Sequence, residues 1–169
     1  FGPQKGVTVT SAPILEEALT HYADVIQKCT GQNVATMAGA GAAGGTGSAL
    51  LAFFGANIKP GVTVVAETVQ LARQAESIDY AIIGEGSLDD QTQYGKTPIG
   101  VTQVIRKIAP KAKIIGLAGN VKPGANILYQ LGVDAMFSSV PGIVTLEEAI
   151  THAAAYLTQT AENVARVLK

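Results

Sequence analysis

The side chains best suited to chemistry gather in one stretch. Gly84-Glu85-Gly86-Ser87-Leu88-Asp89-Asp90 runs into Gln91-Thr92-Gln93-Tyr94-Gly95-Lys96-Thr97. Three carboxylates near a lysine and a threonine are the parts of a phosphoryl-transfer site. Acids hold Mg²⁺ or take a hydroxyl proton, and a cation balances charge on the moving group. Asp89 is the candidate proton acceptor and Lys96 the candidate for the phosphoryl charge. Glu85 is the candidate Mg²⁺ ligand and the alternative base. Gly84 and Gly86 permit close backbone approach to a ligand, so they and Thr92 are candidate nucleotide contacts. The competing reading is a solvated acidic loop. Asp90 to Thr97 nearly matches the phosphate loop G-x-x-x-x-G-K-[ST], but Asp90 stands where the first glycine belongs. A carboxylate there repels phosphate, and Pro98 removes an amide from the following turn. A phosphate loop is therefore rejected, while Lys96 at a helix start remains a good phosphate contact.

A second glycine run invites other chemistry. Gly39-x-Gly41-x-x-Gly44 matches the dinucleotide fingerprint, with Glu67 downstream roughly where a ribose-binding acid would sit. One reading is thus an oxidoreductase holding NAD at Gly39, Gly41 and Gly44. A second is anion binding by free amides at a helix start. A third is close packing by small residues. The preceding Gln32–Ala38 is poorly apolar for the strand that the fingerprint needs.

The elements that must position these residues follow from periodicity. Ser11 reads as an N-cap with Pro13 in the first turn, and apolar residues from Ile14 to Ile26 recur at helical spacing up to Gly31. The glycine run feeds a short helix ending at Gly55. Residues 62–75 fit either a strand or a helix. From Asp79 the pattern alternates: strands at 80–84, 113–118 and 134–138, with helices from Pro98 to Ile108, over 126–131, and after Thr145 to the end. This alternation predicts an α/β fold, a doubly wound parallel sheet. The first part lacks it, so we expect two domains, 1–65 and 66–169.

Composition narrows the functions. The 169 residues are 47% hydrophobic and 15% charged, as in a globular chain. Twelve basic against thirteen acidic residues gives a net charge of −1, without the basic excess that nucleic acid or an anionic membrane requires. Aromatics are 5% and Trp is absent, which disfavours a base-stacking platform. A single cysteine, Cys29, fits a reducing compartment, and no apolar run approaches the ~18 residues of a membrane helix. A cytoplasmic location is expected. The chain opens on Phe1 rather than Met, and we read it as a piece of a longer protein.

Several stretches in order resemble the glycerate kinase family. They are Phe1-Gly2-Pro3-Gln4-Lys5-Gly6, Gly39 to Gly45, Leu50 to Ala56, Ala81 to Gly86, Leu88-Asp89, Gln91-Thr92, Gly95 to Val101, and Thr145 to Ala149. The resemblance implies an enzyme that phosphorylates D-glycerate with ATP and Mg²⁺, with the 2-position favoured. It implies a longer protein, of which this is the C-terminal half: a Rossmann-like parallel sheet with helices on both faces, plus part of an inserted α/β domain. It places Gln4 and Lys5 at the substrate and turns the Gly39–Gly44 run into a helix start facing the cleft. Expected partners are glycerate, the remaining half and a second copy of the chain. Ser87 stands where many members carry Arg, and the family's Asp-Ser-Phe-Lys-Gly and Ala-Asp-Gly-Gly-Glu-Gly stretches are absent. NAD-dependent oxidoreductase and non-catalytic ligand-binding domain are the alternatives.

Overall fold

The computed structural model describes residues 2–169, the side chain of Gln4 excepted. It divides into two compact units, Phe1–Lys59 and Pro60–Lys169. The stretch 62–75, which fits either a strand or a helix in sequence, is helical and packs within the second unit.

The first unit holds α1 (Ser11–Thr30) and α2 (Ala42–Phe54), and its described residues include no strand. Ser11 is not the N-cap. Thr10 holds that position without a side-chain cap, while Thr8 and Ser11 bond reciprocally: the Thr8 amide donates to Ser11 Oγ at 2.9 Å, and the Ser11 amide donates to Thr8 Oγ1 at 3.1 Å. The reciprocal pair satisfies two donors that the helix start leaves free. Ile26 and Val34, almost fully buried, form a small core with Ala23 and Ala52.

The second unit is built on three parallel strands in the order β1 (Tyr80–Leu88), β2 (Lys113–Val121), β3 (Ala135–Ser138). The predicted strands are present. However, β1 and β2 run on past the glycines that were expected to close them, since Ser87 still pairs with Asn120 and Leu88 with Val121. Around the strands lie α3 (Gly61–Thr68), α4 (Leu71–Gln74), α5 (Thr97–Ile108), α6 (Ile127–Gln130), α7 (Leu146–Thr151) and α8 (Ala153–Val167). The last helix expected from the sequence breaks at His152 into α7 and α8. Thr145 does cap it, its Oγ1 accepting from the Glu148 amide at 3.2 Å.

Strand alternation sends successive residues to opposite faces. On one face Ile83 and Ile114 pack with Ile99 and Ile105 of α5 and Leu128 of α6. On the other, Ile115 and Leu117 pack against Val164, Ala161 and Leu168. Each buried Ile or Leu contributes about 1.5–3 kcal/mol relative to exposure. Helices therefore cover both faces, as the α/β prediction required. The second face is only partly covered: Ile82 remains 59% exposed beside a groove of about 960 Å³ between the sheet and the helices after β3.

Arg106 ties this unit together. From α5 its guanidinium donates to the carbonyls of Gly132, Pro110 and Ala112 and to the Asp134 carboxylate. Asp134 also accepts from the Ile114 amide at 2.7 Å and from Lys113 at 3.3 Å. Desolvation raises the Asp134 pKa, but the Ile114 amide, Arg106 and Lys113 outweigh it and hold it below the ordinary 3.8. Its contribution is therefore complete above about pH 4 and is lost as pH falls through the lowered value. We expect Arg106→Ala to destabilise the second unit by about 1–3 kcal/mol in urea unfolding at neutral pH. Asp134→Asn is expected to flatten the decline in stability below pH 4. An unchanged acid decline in that variant would remove Asp134 from this role.

Candidate active site

Parallel sheets place ligands beyond the carboxyl ends of their strands. Here Leu88 and Val121, paired across β1 and β2, are the last residues of their strands. The next residues, Asp89 and Lys122, consequently emerge side by side. The Lys122 amide donates to Leu88 O at 2.9 Å, extending the ladder by one bond. A one-turn helix follows each strand, Asp90–Gln93 after β1 and Pro123–Asn126 after β2. A Cβ on Gly124 would lie 3.1 Å from Asp90 Cβ, so these two turns are packed against each other.

Asp89 is the centre of the cluster. Its Oδ1 accepts from Thr92 Oγ1 at 3.2 Å and from Lys96 Nζ at 3.4 Å, and its Oδ2 accepts from Lys122 Nζ at 3.2 Å. Thr92 is fully buried and its hydroxyl also accepts from the Asp89 amide at 3.1 Å, fixing the carboxylate's base. Lys96 stands immediately before α5, where Pro98 tolerates the helix start. The Asp89 side chain is 14% exposed, while Lys96 and Lys122 are 36% and 53% exposed, so both ammonium groups reach solvent from a covered carboxylate. Partial desolvation pushes the Asp89 pKa up. The Lys122 hydrogen bond, the charge and hydrogen bond of Lys96, and Thr92 overcome this and hold it below the ordinary carboxylate range.

The structure thus brings Asp89, Thr92 and Lys96 together, as expected from their sequence. It adds Lys122, which sequence reasoning missed. Glu85 lies on β1, on the same face as Ile83 by alternation, and its Oε2 is buried without a hydrogen-bond partner, as is Ser87 Oγ. Gly84 and Gly86 line the groove on the second sheet face, with Gly119 and Asn120 beside them. Among the described residues no group of three or more His, Cys, Asp or Glu side chains is placed to hold a metal ion. Mg²⁺ asks for less than that: it commonly takes one or two carboxylates plus phosphate oxygens. The orphaned Glu85 oxygen fits such a ligand.

Gly39, Gly41 and Gly44 lie in the first unit, and their NAD reading does not survive. Among the described residues no strand precedes them, so the strand–turn–helix context of the fingerprint is missing. The run folds on itself instead. Ala43, Gly44 and Gly45 all take positive φ, breaking the first turn of α2. The Ser48 amide, near the start of regular helix, is already spent on Ala40 O at 2.8 Å. Gly47 lies so close to the loop that a Cβ there would sit 2.1 Å from Gly39 O. We expect Gly47→Ala to destabilise the first unit by roughly 3 kcal/mol. Gly41→Ala, where nothing lies within 4 Å of the added carbon, should be near neutral. Thermal unfolding of the two variants decides this, and equal stabilities would refute the packing role. Lys5 is exposed in the turn Pro3–Lys5 of the same unit. The Gln4 side chain lies outside the described residues.

The cation–carboxylate–cation cluster of this parallel α/β unit thus stands beyond its strand ends, where open α/β sheets bind their ligands. The comparisons with known proteins make this particular. The glycerate kinase family model matches residues 1–169. The chain is 42% identical over its whole length to the glycerate kinase of Bacillus subtilis, and covers 44% of that protein. It is 39% identical to the glycerate 2-kinase of Escherichia coli over 99% of its length, again covering 44% of the relative. A crystal structure carrying a glycerate kinase 2 designation, from Salmonella typhimurium LT2, superposes with a TM-score of 0.74 at 40% identity, covering 99% of this chain and 42% of that one. The chain belongs to the glycerate kinase family. It spans under half the length of the relatives it matches.

Proposed function

We propose that this chain contributes the phosphoryl-transfer cluster of a kinase that moves the γ-phosphoryl group of ATP to a hydroxyl of D-glycerate, the 2-hydroxyl favoured. The observation that carries this reading is Asp89 held between Lys96 and Lys122 beyond the carboxyl ends of β1 and β2. The hydroxyl oxygen attacks the γ-phosphorus, its proton passes to an Asp89 oxygen, and the bond to the β-phosphate oxygen breaks to release ADP. Lys96 offsets charge on the transferring oxygens. Paired with both lysines, Asp89 is a weak base. Phosphate oxygens that draw Lys96 away restore its basicity where the proton must be taken. Glu85 would hold Mg²⁺, which when bound neutralises phosphate charge.

The name glycerate 2-kinase of the Escherichia coli relative supports the choice of hydroxyl. In the same proposal the second unit is part of a Rossmann-like domain and the first is part of an inserted domain. The remaining portion of the protein completes the cleft, and the enzyme works in the cytoplasm. No helix among the described residues is long and apolar enough to cross a membrane. The test is ADP release by the full-length protein. Release that requires both D-glycerate and Mg²⁺ supports the proposal, and release indifferent to D-glycerate defeats it.

A further inference from the structure

Lys122 has no part in the sequence-based site, yet it shares one carboxylate with Lys96. Each ammonium contacts a different oxygen of Asp89, 3.4 Å for Lys96 and 3.2 Å for Lys122. The arrangement is fixed from three sides. Lys122 is anchored through its amide to Leu88 O, Lys96 precedes α5, and Thr92 holds Asp89 from below. Two cations on one carboxylate form a pincer. The oxygens of a phosphoryl group are spaced only slightly wider than those of a carboxylate, so the same pincer accepts phosphate oxygens. A lysine recruited only to neutralise Asp89 would be redundant, since Lys96 already does so.

We infer that Lys122 is a second phosphate-binding cation, and that the Asp89 carboxylate holds the place of phosphate oxygens between Lys122 and Lys96 until a nucleoside triphosphate arrives. This rests on the kinase reading of the same cluster and adds a residue and a placeholder role to it. Both lysines then turn to the polyphosphate, and Asp89 is left with Thr92. Charge-assisted contacts of this kind are the stronger hydrogen bonds. They are lost one at a time when a single lysine is removed.

The experiment is calorimetric titration of ATP into the full-length protein without glycerate. Lys122→Ala is expected to weaken ATP binding about tenfold. Lys122→Arg, which keeps the charge, should recover most of it, and Lys111→Ala, at the opposite end of β2, should bind as the parent does. Asp89→Asn should bind ATP more tightly, by roughly threefold, because an ionic competitor is gone. Parent-like affinity in Lys122→Ala, or weaker binding in Asp89→Asn, overturns the inference. Leaving glycerate out separates this result from the substrate reading. A parent that binds ATP through Lys122 but does not phosphorylate glycerate refutes the substrate alone. One that phosphorylates glycerate with ATP affinity indifferent to Lys122 refutes the inference alone. A parent that binds no ATP refutes both.

Discussion

Asp89→Asn in the full-length protein is expected to lower kcat by about 10²–10⁴ without weakening ATP binding. The substitution keeps size and the hydrogen bond geometry open to Thr92, but removes the charge that is proposed to receive a proton. Asp89 is well placed for that work. It follows the end of β1 by one residue, is mostly covered, and is tethered by the Thr92 hydroxyl. An idle solvated carboxylate would not be gripped on both oxygens. The loss belongs in kcat rather than KM, because the proton moves only in the transition state. Near-normal turnover in Asp89→Asn would make the residue a structural part of the turn.

Lys96→Ala is expected to lower kcat/KM for ATP by about 10³, with both parameters affected. In the proposed role its ammonium contacts phosphate in the ground state and meets growing charge on the equatorial oxygens as the bond to the leaving group loosens. Lys96→Arg should recover only part of this, since a planar fork does not reproduce a compact point charge. Steady-state kinetics with varied ATP measures the split. A rise in KM alone would confine Lys96 to binding.

The parallel sheet was legible because Ala81-Ile82-Ile83 and Ile114-Ile115 are short apolar runs, bounded by glycines and alternating with helical patterns along the chain. Asp89, Thr92 and Lys96 were legible because they are close in the chain. Lys122 was not, for a definable reason. The glycines Gly84, Gly86 and Gly119 suggested strand ends, whereas parallel pairing carries β1 to Leu88 and β2 to Val121. Only with those ends in register does Lys122 fall beside Asp89. The Gly39–Gly44 run shows the opposite failure. Its letters match a cofactor loop, but the fingerprint works through the preceding strand, and the described residues before Gly39 form none. Ser11 misled in a smaller way: it is the first residue of the helix rather than its cap, and its amide and hydroxyl pair with Thr8 upstream.

The most direct test of the kinase assignment is the product itself. The full-length protein is incubated with ATP, Mg²⁺ and D-glycerate, and the mixture is followed by phosphorus NMR without proton decoupling. The expected result is growth of ADP together with an equal amount of a new phosphate ester, split into a doublet by the single proton on the 2-carbon. ATP resonances that stay unchanged, with no ester formed, would contradict it.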